Sequence, residues 1–344
     1  MQKKRLAFID YWSHQNTKSG DFLREIFSKE FEITDFWWKP NERIPLEEID
    51  EYEYIFFFHV IFPHQILRKL KKKKIMWAPM YDALNFRNFF FKSIFWKQIA
   101  SLGVKVLKFS NKVTESIGKE DININSLKLN YFIKPNFNQS YNQERKLNIF
   151  FWDRGRIKIN DWLHLFNKEE INELVYLPRP DPGIKDTTYD DLKSNKDLNI
   201  KLMDKKYIPK NEYLKIFEKC NVFIAPRKKE GIGITIVEAI SRGMFIIGYN
   251  DSTMNEYILN KKVGLLFNKE TKEKIALKDI VKHYNFRKSY AEINYDKWSK
   301  DKEKIIPLLK EDNKSINSIY FFPLFLIDDL RHLIKRVFKI NYYY

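Results

Sequence analysis

Two glutamates stand on either side of seven residues in Glu230-Gly231-Ile232-Gly233-Ile234-Thr235-Ile236-Val237-Glu238. A carboxylate is a poor partner for an anion and a good bidentate acceptor for vicinal hydroxyls, so the pair suits sugar and ribose hydroxyls. Between the two, Gly231 and Gly233 let the backbone come close to a ligand. The N–H groups of Ile234 and Thr235, at a predicted helix start, suit an anion such as a diphosphate.

The flanking residues supply the elements that would hold this loop. The apolar run Asn221-Val222-Phe223-Ile224-Ala225-Pro226 reads as a buried strand, 234–242 as a helix that stops at Gly243, and 244–249 as a second parallel strand. Together they make a strand-loop-helix-strand unit of about 30 residues. The loop then lies at a strand's C-terminal edge, where open parallel sheets place their ligands. The implied ligand is a nucleotide sugar. Two glutamates at a fixed spacing also leave open an ordinary surface loop, with Glu238 solvated on the outer helix face.

From 219 to 267 the chain resembles the nucleotide-binding half of retaining GT-B glycosyltransferases, especially glycosyltransferase family 4. The resemblance runs through 222–226, Glu230-Gly231-Ile232-Gly233, Glu238-Ala239, Gly243 and the apolar strand after it, then Glu256-Tyr257-Ile258 and Gly264-Leu265-Leu266-Phe267. It implies an α/β fold of GT-B type, with two Rossmann-like domains facing across a cleft. It also implies that Glu230 holds hydroxyls of the donor sugar and Glu238 those of the ribose.

The same resemblance places an arginine and a lysine on the donor diphosphate, after the second domain's first strand. Here that stretch is Asp153-Arg154-Gly155-Arg156-Ile157-Lys158. A departing nucleoside diphosphate gains negative charge in the transition state, which fixed cations stabilise. Arg156 matches the family's arginine, whereas Lys158 falls about three residues early, so either Lys158 turns inward from a shortened loop or Arg154 shares its task. In the first domain, Met80-Tyr81-Asp82 resembles the family's His-Asp, with tyrosine in place of histidine. Asp82 stays a candidate, and His59, at the end of another predicted strand, either fills the missing role or is a buried histidine satisfied by backbone. The polar loop 13–20, with His14 and Asn16, is placed to touch diphosphate or acceptor.

With 344 residues, 44% of them apolar, the chain can build two cores. Predicted strands in the first half are 4–10, 31–37, 54–60, 74–78 and 104–110. The stretch 133–138 reads as a linker, followed by a polar segment to 146, and 147–152 opens the second half. The expected domains are 1–135, an acceptor domain, and 146–285, a nucleotide-sugar domain, with 286–344 returning to the first domain or to a membrane surface.

Absences exclude other chemistries. There is no Asp-x-Asp to bridge a divalent ion to a diphosphate, so no metal and no further cofactor are expected. A single cysteine, Cys220, rules out a disulfide framework or cysteine zinc cluster, and no Walker-type loop or Gly-x-Ser-x-Gly elbow occurs.

The formal net charge is +17, and 68–74 carries six cations in seven residues. In 85–99, Arg87, Lys92 and Lys97 interleave with Phe86, Phe89, Phe90, Phe91, Phe95 and Trp96, too many aromatics for one helix face, so some are expected exposed. A second basic-aromatic element spans 320–339. Both suit an anionic bilayer surface, although each also suits packing against the protein. No segment is long enough to span a bilayer and no signal peptide is read, which points to a cytoplasmic protein peripheral on the inner face of the membrane.

Taken together, these features lead us to expect a retaining, metal-independent glycosyltransferase with a nucleotide-sugar donor and a lipid-linked glycan acceptor, in bacterial surface-polysaccharide synthesis. A nucleotide-sugar epimerase or phosphorylase of the same fold is one alternative. A basic nucleic-acid- or membrane-binding protein is another, although no nucleic-acid motif is present and no nucleic-acid partner is expected.

Overall fold

The structure, a computed structural model, describes residues 3–39, 42–84, 89–118, 123–137, 146–203, 208, 210–251 and 253–313. The chain divides into two compact units, Met1–Asn130 with Ser299–Tyr344, and Tyr131–Trp298.

Unit 1 is built on a six-stranded, wholly parallel sheet in the order β2-β1-β3-β4-β5-β6. Its strands are β1 (Lys4–Tyr11), β2 (Phe31–Trp38), β3 (Tyr54–His59), β4 (Lys74–Pro79), β5 (Lys105–Lys108) and β6 (Ser126–Lys128). The first five coincide with the predicted strands, and β6 is additional. Leu6, Ala7, Phe8 and Ile9 of β1 are all fully buried, as are Ile55, Phe56 and Phe57 of β3. A parallel sheet covered by helices on both faces buries both sides of each strand, so these strands are apolar runs rather than alternations.

The helix Phe89–Ser101 falls within the basic-aromatic stretch 85–99. In its described part Trp96 is fully buried, tilts against Trp77 at 5.6 Å and donates through its indole N–H to Ser116 Oγ at 3.0 Å, while Phe95 packs on the same core. These two aromatics belong to the interior and are not a membrane-facing surface. The side chains of 85–91 lie outside the described residues, as does the element 320–339.

After the helix Tyr284–Asp301, the short helix Ile305–Lys310 and the residues following it pack on the sheet of unit 1. Their anchor is Lys105, a buried lysine whose Nζ donates to the Glu311 carbonyl at 2.7 Å and to Asn313 Oδ1 at 2.9 Å. Burial, aided by the nearby charge of Lys74, lowers the Lys105 ammonium to about 8.

Unit 2 repeats the architecture, with a six-stranded parallel sheet in the order β12-β11-β10-β7-β8-β9. The strands are β7 (Leu147–Asp153), β8 (Ile171–Pro178), β9 (Ile200–Leu202), β10 (Val222–Ile224), β11 (Phe245–Tyr249) and β12 (Gly264–Phe267). At the start of the unit, within the stretch read as a linker, the Asn136 N–H donates to the Ser241 carbonyl at 2.9 Å; residues 138–145 lie outside the described residues. Each sheet therefore reverses its strand order once, between β1 and β3 in unit 1 and between β7 and β10 in unit 2. In open α/β sheets the crevice beyond the strand ends at that reversal is where ligands sit.

Candidate functional site

The reversal point of unit 2 brings three loops together. After β7, the buried Asp153 turns its carboxylate back on its own loop and accepts the Gly155 N–H at 2.5 Å, with Gly155 held at a φ of +74°. A Cβ on Gly155 would come within 2.5 Å of Ile184, so this tight turn accommodates only glycine. Two backbone hydrogen bonds then tie this loop to the one after β8, Arg179 N–H to the Asp153 carbonyl at 2.8 Å and Asp181 N–H to the Arg154 carbonyl at 3.0 Å.

Those ties set Asp181 among three guanidiniums. Arg154 donates to Oδ1 from Nε at 2.8 Å, with its Nη2 2.5 Å from the same oxygen, and Arg227, just beyond β10, donates from Nε and Nη2 at 2.9 and 2.5 Å. Arg156 lies 3.9 Å away and its side chain is 53% exposed. Burial raises the Asp181 carboxyl, but the hydrogen bonds and charges of Arg227 and Arg154 outweigh it and hold the group below the usual carboxylate range. Arg227 also reaches Glu230, whose Oε2 lies 3.7 Å from its Nη1.

The loop from 230 to 233 runs into the helix Ile234–Ile240. Gly233, not Gly231, takes the left-handed conformation, with a φ of +71° at the helix start. Gly231 and Gly233 are buried, whereas Ile234 and Thr235 are half-buried. A residue from beyond β11 fixes the loop. Thr253 is fully buried at a φ of +66°, a region foreign to β-branched residues, and its Oγ1 donates to the Glu230 carbonyl at 2.6 Å.

Glu238 is only 6% exposed and accepts from the Tyr213 hydroxyl at 3.3 Å, which removes the alternative of a solvated outer-face glutamate. Burial, followed by the charge of Glu238, pushes the Tyr213 phenol well above its ordinary value.

Lys158 is placed differently from Arg154 and Arg156. It is exposed, its backbone N–H donates to Asp161 at 2.9 Å, and its charge acts on Asp191 rather than on Asp181. Of the two ways to complete the cationic set, Arg154 is the one joined to Arg156 through a shared carboxylate. Behind them, the buried Tyr176 donates to Asp153 Oδ2 at 2.7 Å and lies 3.4 Å from Asp191 Oδ2. Burial pushes both carboxyls above their usual range.

In unit 1 the reversal point gathers His14 and His59. Asp10, fully buried at the end of β1, binds His14 Nδ1 at 2.6 Å and Arg24 Nη2 at 3.0 Å. His59 ends β3 at a φ of +68°, stacks on Tyr11 at 5.6 Å and meets the His14 ring edge-on at 5.3 Å. Asn16 is exposed beside them, and Asp82 is exposed on the single turn Tyr81–Ala83 after β4. Arg227, Asp181 and Thr253 are absent from the residues selected by sequence. Among the described residues no cluster of three or more His, Cys, Asp or Glu could hold a metal ion, and no helix is long and apolar enough to cross a membrane.

Residues 183–297 match the family described as glycosyl transferases group 1. No curated protein matches the chain. Among solved structures, the chain is similar to sucrose-phosphate synthase from Thermosynechococcus elongatus, with a TM-score of 0.63 at 12% identity over 89% of this chain and 98% of that one. It is also similar to Anabaena HepE in complex with UDP and glucose, with a TM-score of 0.58 at 10% identity over 89% of this chain and 99% of that one. WaaG, a glycosyltransferase involved in lipopolysaccharide biosynthesis, gives a TM-score of 0.56 at 13% identity over 89% of this chain and 100% of that one. At such identities these likenesses show the fold, two Rossmann-like domains as in GT-B glycosyltransferase structures.

Proposed function

We propose that this chain, of GT-B fold and matching glycosyl transferases group 1 over residues 183–297, is a retaining, nucleotide-sugar-dependent glycosyltransferase that transfers a sugar from a nucleotide-diphosphate sugar to a membrane-borne acceptor. The acceptor we infer is a lipid-linked oligosaccharide of a bacterial surface polysaccharide, O-antigen, capsule or lipopolysaccharide. Transfer needs no metal, and the protein works from the cytoplasmic side, lying on the membrane surface.

One observation carries the donor side of this reading: Arg154, Arg156 and Arg227 converge beside Glu230 at the β7/β10 reversal point. Fixed guanidiniums in a partly desolvated crevice stabilise the charge that grows on a departing diphosphate. Arg156 and Arg154 act on that leaving group, with Lys158 at the outer edge. Glu230 accepts from hydroxyls of the donor sugar and Glu238 from those of the ribose. The backbone at Gly231 and Gly233 and the N–H groups of Ile234 and Thr235 line the path of the phosphates. The acceptor's proton passes to the departing phosphate, so no dedicated base is required.

On the acceptor side, His14, Asn16, His59 and Asp82 lie at the C-terminal edge of the unit 1 sheet. The net charge of +17 and the exposed cations Arg68, Lys69, Lys71 and Lys72 support an anionic surface as the place of work. The involvement of WaaG in lipopolysaccharide biosynthesis supports the same class of acceptor.

The test is a thermal-shift screen of purified protein against UDP-, GDP-, ADP- and CMP-sugars without metal, repeated with Glu238→Ala. A shift for one nucleotide that vanishes in the variant is expected. No shift with any of them would remove the donor site. Co-sedimentation with vesicles containing phosphatidylglycerol, against neutral vesicles, tests the surface.

A further inference from the structure

At the C-terminal edge of the unit 2 sheet, the two strands flanking the reversal point each deliver an arginine to an aspartate from a third strand. Arg154 follows β7, Arg227 follows β10 and Asp181 follows β8, and each guanidinium grips the carboxylate through Nε and Nη2. The side chains of Arg154 and Arg227 remain 25% and 27% exposed, and that of Asp181 14%. An ion pair taken out of water contributes little net stability, so stability alone is a weak reason for this arrangement. What it does achieve is geometric. A guanidinium held through two of its nitrogens has its plane and its remaining edge fixed, whereas an unheld arginine samples many rotamers. The three guanidiniums of Arg154, Arg156 and Arg227 also outnumber the carboxylates of Asp181 and Glu230, so the cluster keeps a net positive charge.

We propose that Arg227 is a ligand of the donor diphosphate, and that Asp181 is the positioning residue that holds Arg227 and Arg154 for it. This rests on the donor-site reading above. Arg227 reaches Asp181 on one side and Glu230 on the other, so it also links the phosphate end of the crevice to the glutamate expected at the sugar.

Calorimetric titration with UDP, GDP, ADP and CDP, each beside its own nucleoside, separates the two claims. For the diphosphate that the wild type binds, Arg227→Ala weakens binding about tenfold or more and changes nucleoside binding less than about twofold, because only the phosphates are lost as partners. Arg227→Lys, which keeps the charge and loses the planar fork, falls between wild type and alanine. In an Asp181→Asn background, Arg227→Ala costs less than about threefold, since the arginine is no longer held in place; a residue with a merely structural role gives additive losses instead. Melting curves check that each variant folds, and Asp181→Glu replaces Asp181→Asn in the cycle if the latter does not.

Equal losses for nucleoside and nucleoside diphosphate, or no loss with either Arg227 variant, would overturn Arg227 as a phosphate ligand. Additivity in the double-mutant cycle would overturn Asp181 as its positioning residue. A wild type that binds none of the four diphosphates fails the donor-site reading itself, a different result from any of these.

Discussion

The Thr253 hydroxyl donates to the Glu230 carbonyl at 2.6 Å from a backbone held at a φ of +66°, so the loop after β11 fixes the loop after β10. A β-branched residue in that conformation carries backbone strain of about 1–3 kcal/mol. The strain is retained at a point that controls where Glu230 stands. Thr253→Ser keeps the hydroxyl and is expected to hold turnover within about threefold of wild type. Thr253→Val keeps the shape and loses the bond, and turnover falls about tenfold with nucleoside diphosphate binding unchanged, because the glutamate on the sugar is displaced and the phosphate contacts are not. Steady-state kinetics beside calorimetry checks this, and a Val variant as active as the Ser variant would count against it.

Glu238 and Arg156 are expected to fail in different ways. Glu238→Ala raises the donor KM by about tenfold with a smaller change in kcat, whereas Arg156→Ala lowers kcat by about tenfold with a smaller change in KM. The first contact is made equally in ground and transition states, and the second strengthens as the diphosphate leaves. Small, equal effects from both would remove these assignments.

The buried carboxyls on either side of Tyr176 imprint a pH dependence on stability. Burial raises both Asp153 and Asp191, so the folded protein holds their protons more tightly than the unfolded chain does. Stability from this source is present at low pH and is lost as pH rises from about 4, the ordinary aspartate value, through the raised values. In urea titrations across that range, wild type should lose ground to Asp191→Asn as pH climbs. A gap that stays constant with pH would show that the carboxyl titrates alike in both states.

Lys105 gives the opposite slope in the alkaline range. Its ammonium titrates at about 8 in the folded protein because of burial and the neighbouring Lys74, well below the value of an exposed lysine. Between about pH 8 and pH 10 the unfolded chain holds the extra proton, so wild type gains stability relative to Lys105→Met as pH rises. Below that window the variant also loses the hydrogen bonds to Glu311 and Asn313, a loss of roughly 1.5–3 kcal/mol for donors on a charged group, set against the relief of burying that charge. Melting temperatures of both proteins from pH 7 to pH 10 test the sign.

Much of the scaffold is legible in the sequence because parallel strands buried on both faces must be apolar runs. This is so for β1, β3, β7, β10 and β11. The edge strands β6 and β9 are three residues each and partly exposed, so they carry no such run, and β8 is apolar only across 174–177. The place of the Glu230 loop at a strand end follows from its neighbours, and Glu238 is buried along with the whole run from Ile236 to Ile240, otherwise apolar. Arg227 is hidden by composition, standing first in Arg227-Lys228-Lys229, which reads as a solvated basic turn. Asp181 lies between two prolines in a loop whose neighbours only the sheet order reveals. In the basic-aromatic stretch at 85–99, aromatic count alone does not separate a surface-facing residue from a packed one, and only the structure assigns Phe95 and Trp96 to the packing around Trp77.

Unit 1 is discontinuous, and this bears on how the protein is made. On a ribosome the strands β1 to β6 emerge first, yet the acceptors that Lys105 needs, at Glu311 and Asn313, follow only after all of unit 2 has been synthesised. The domain begun first is therefore completed last. Until then Lys105 lacks its acceptors and the sheet lacks the helix Ile305–Lys310, an open state for chaperones to guard while unit 2 is translated.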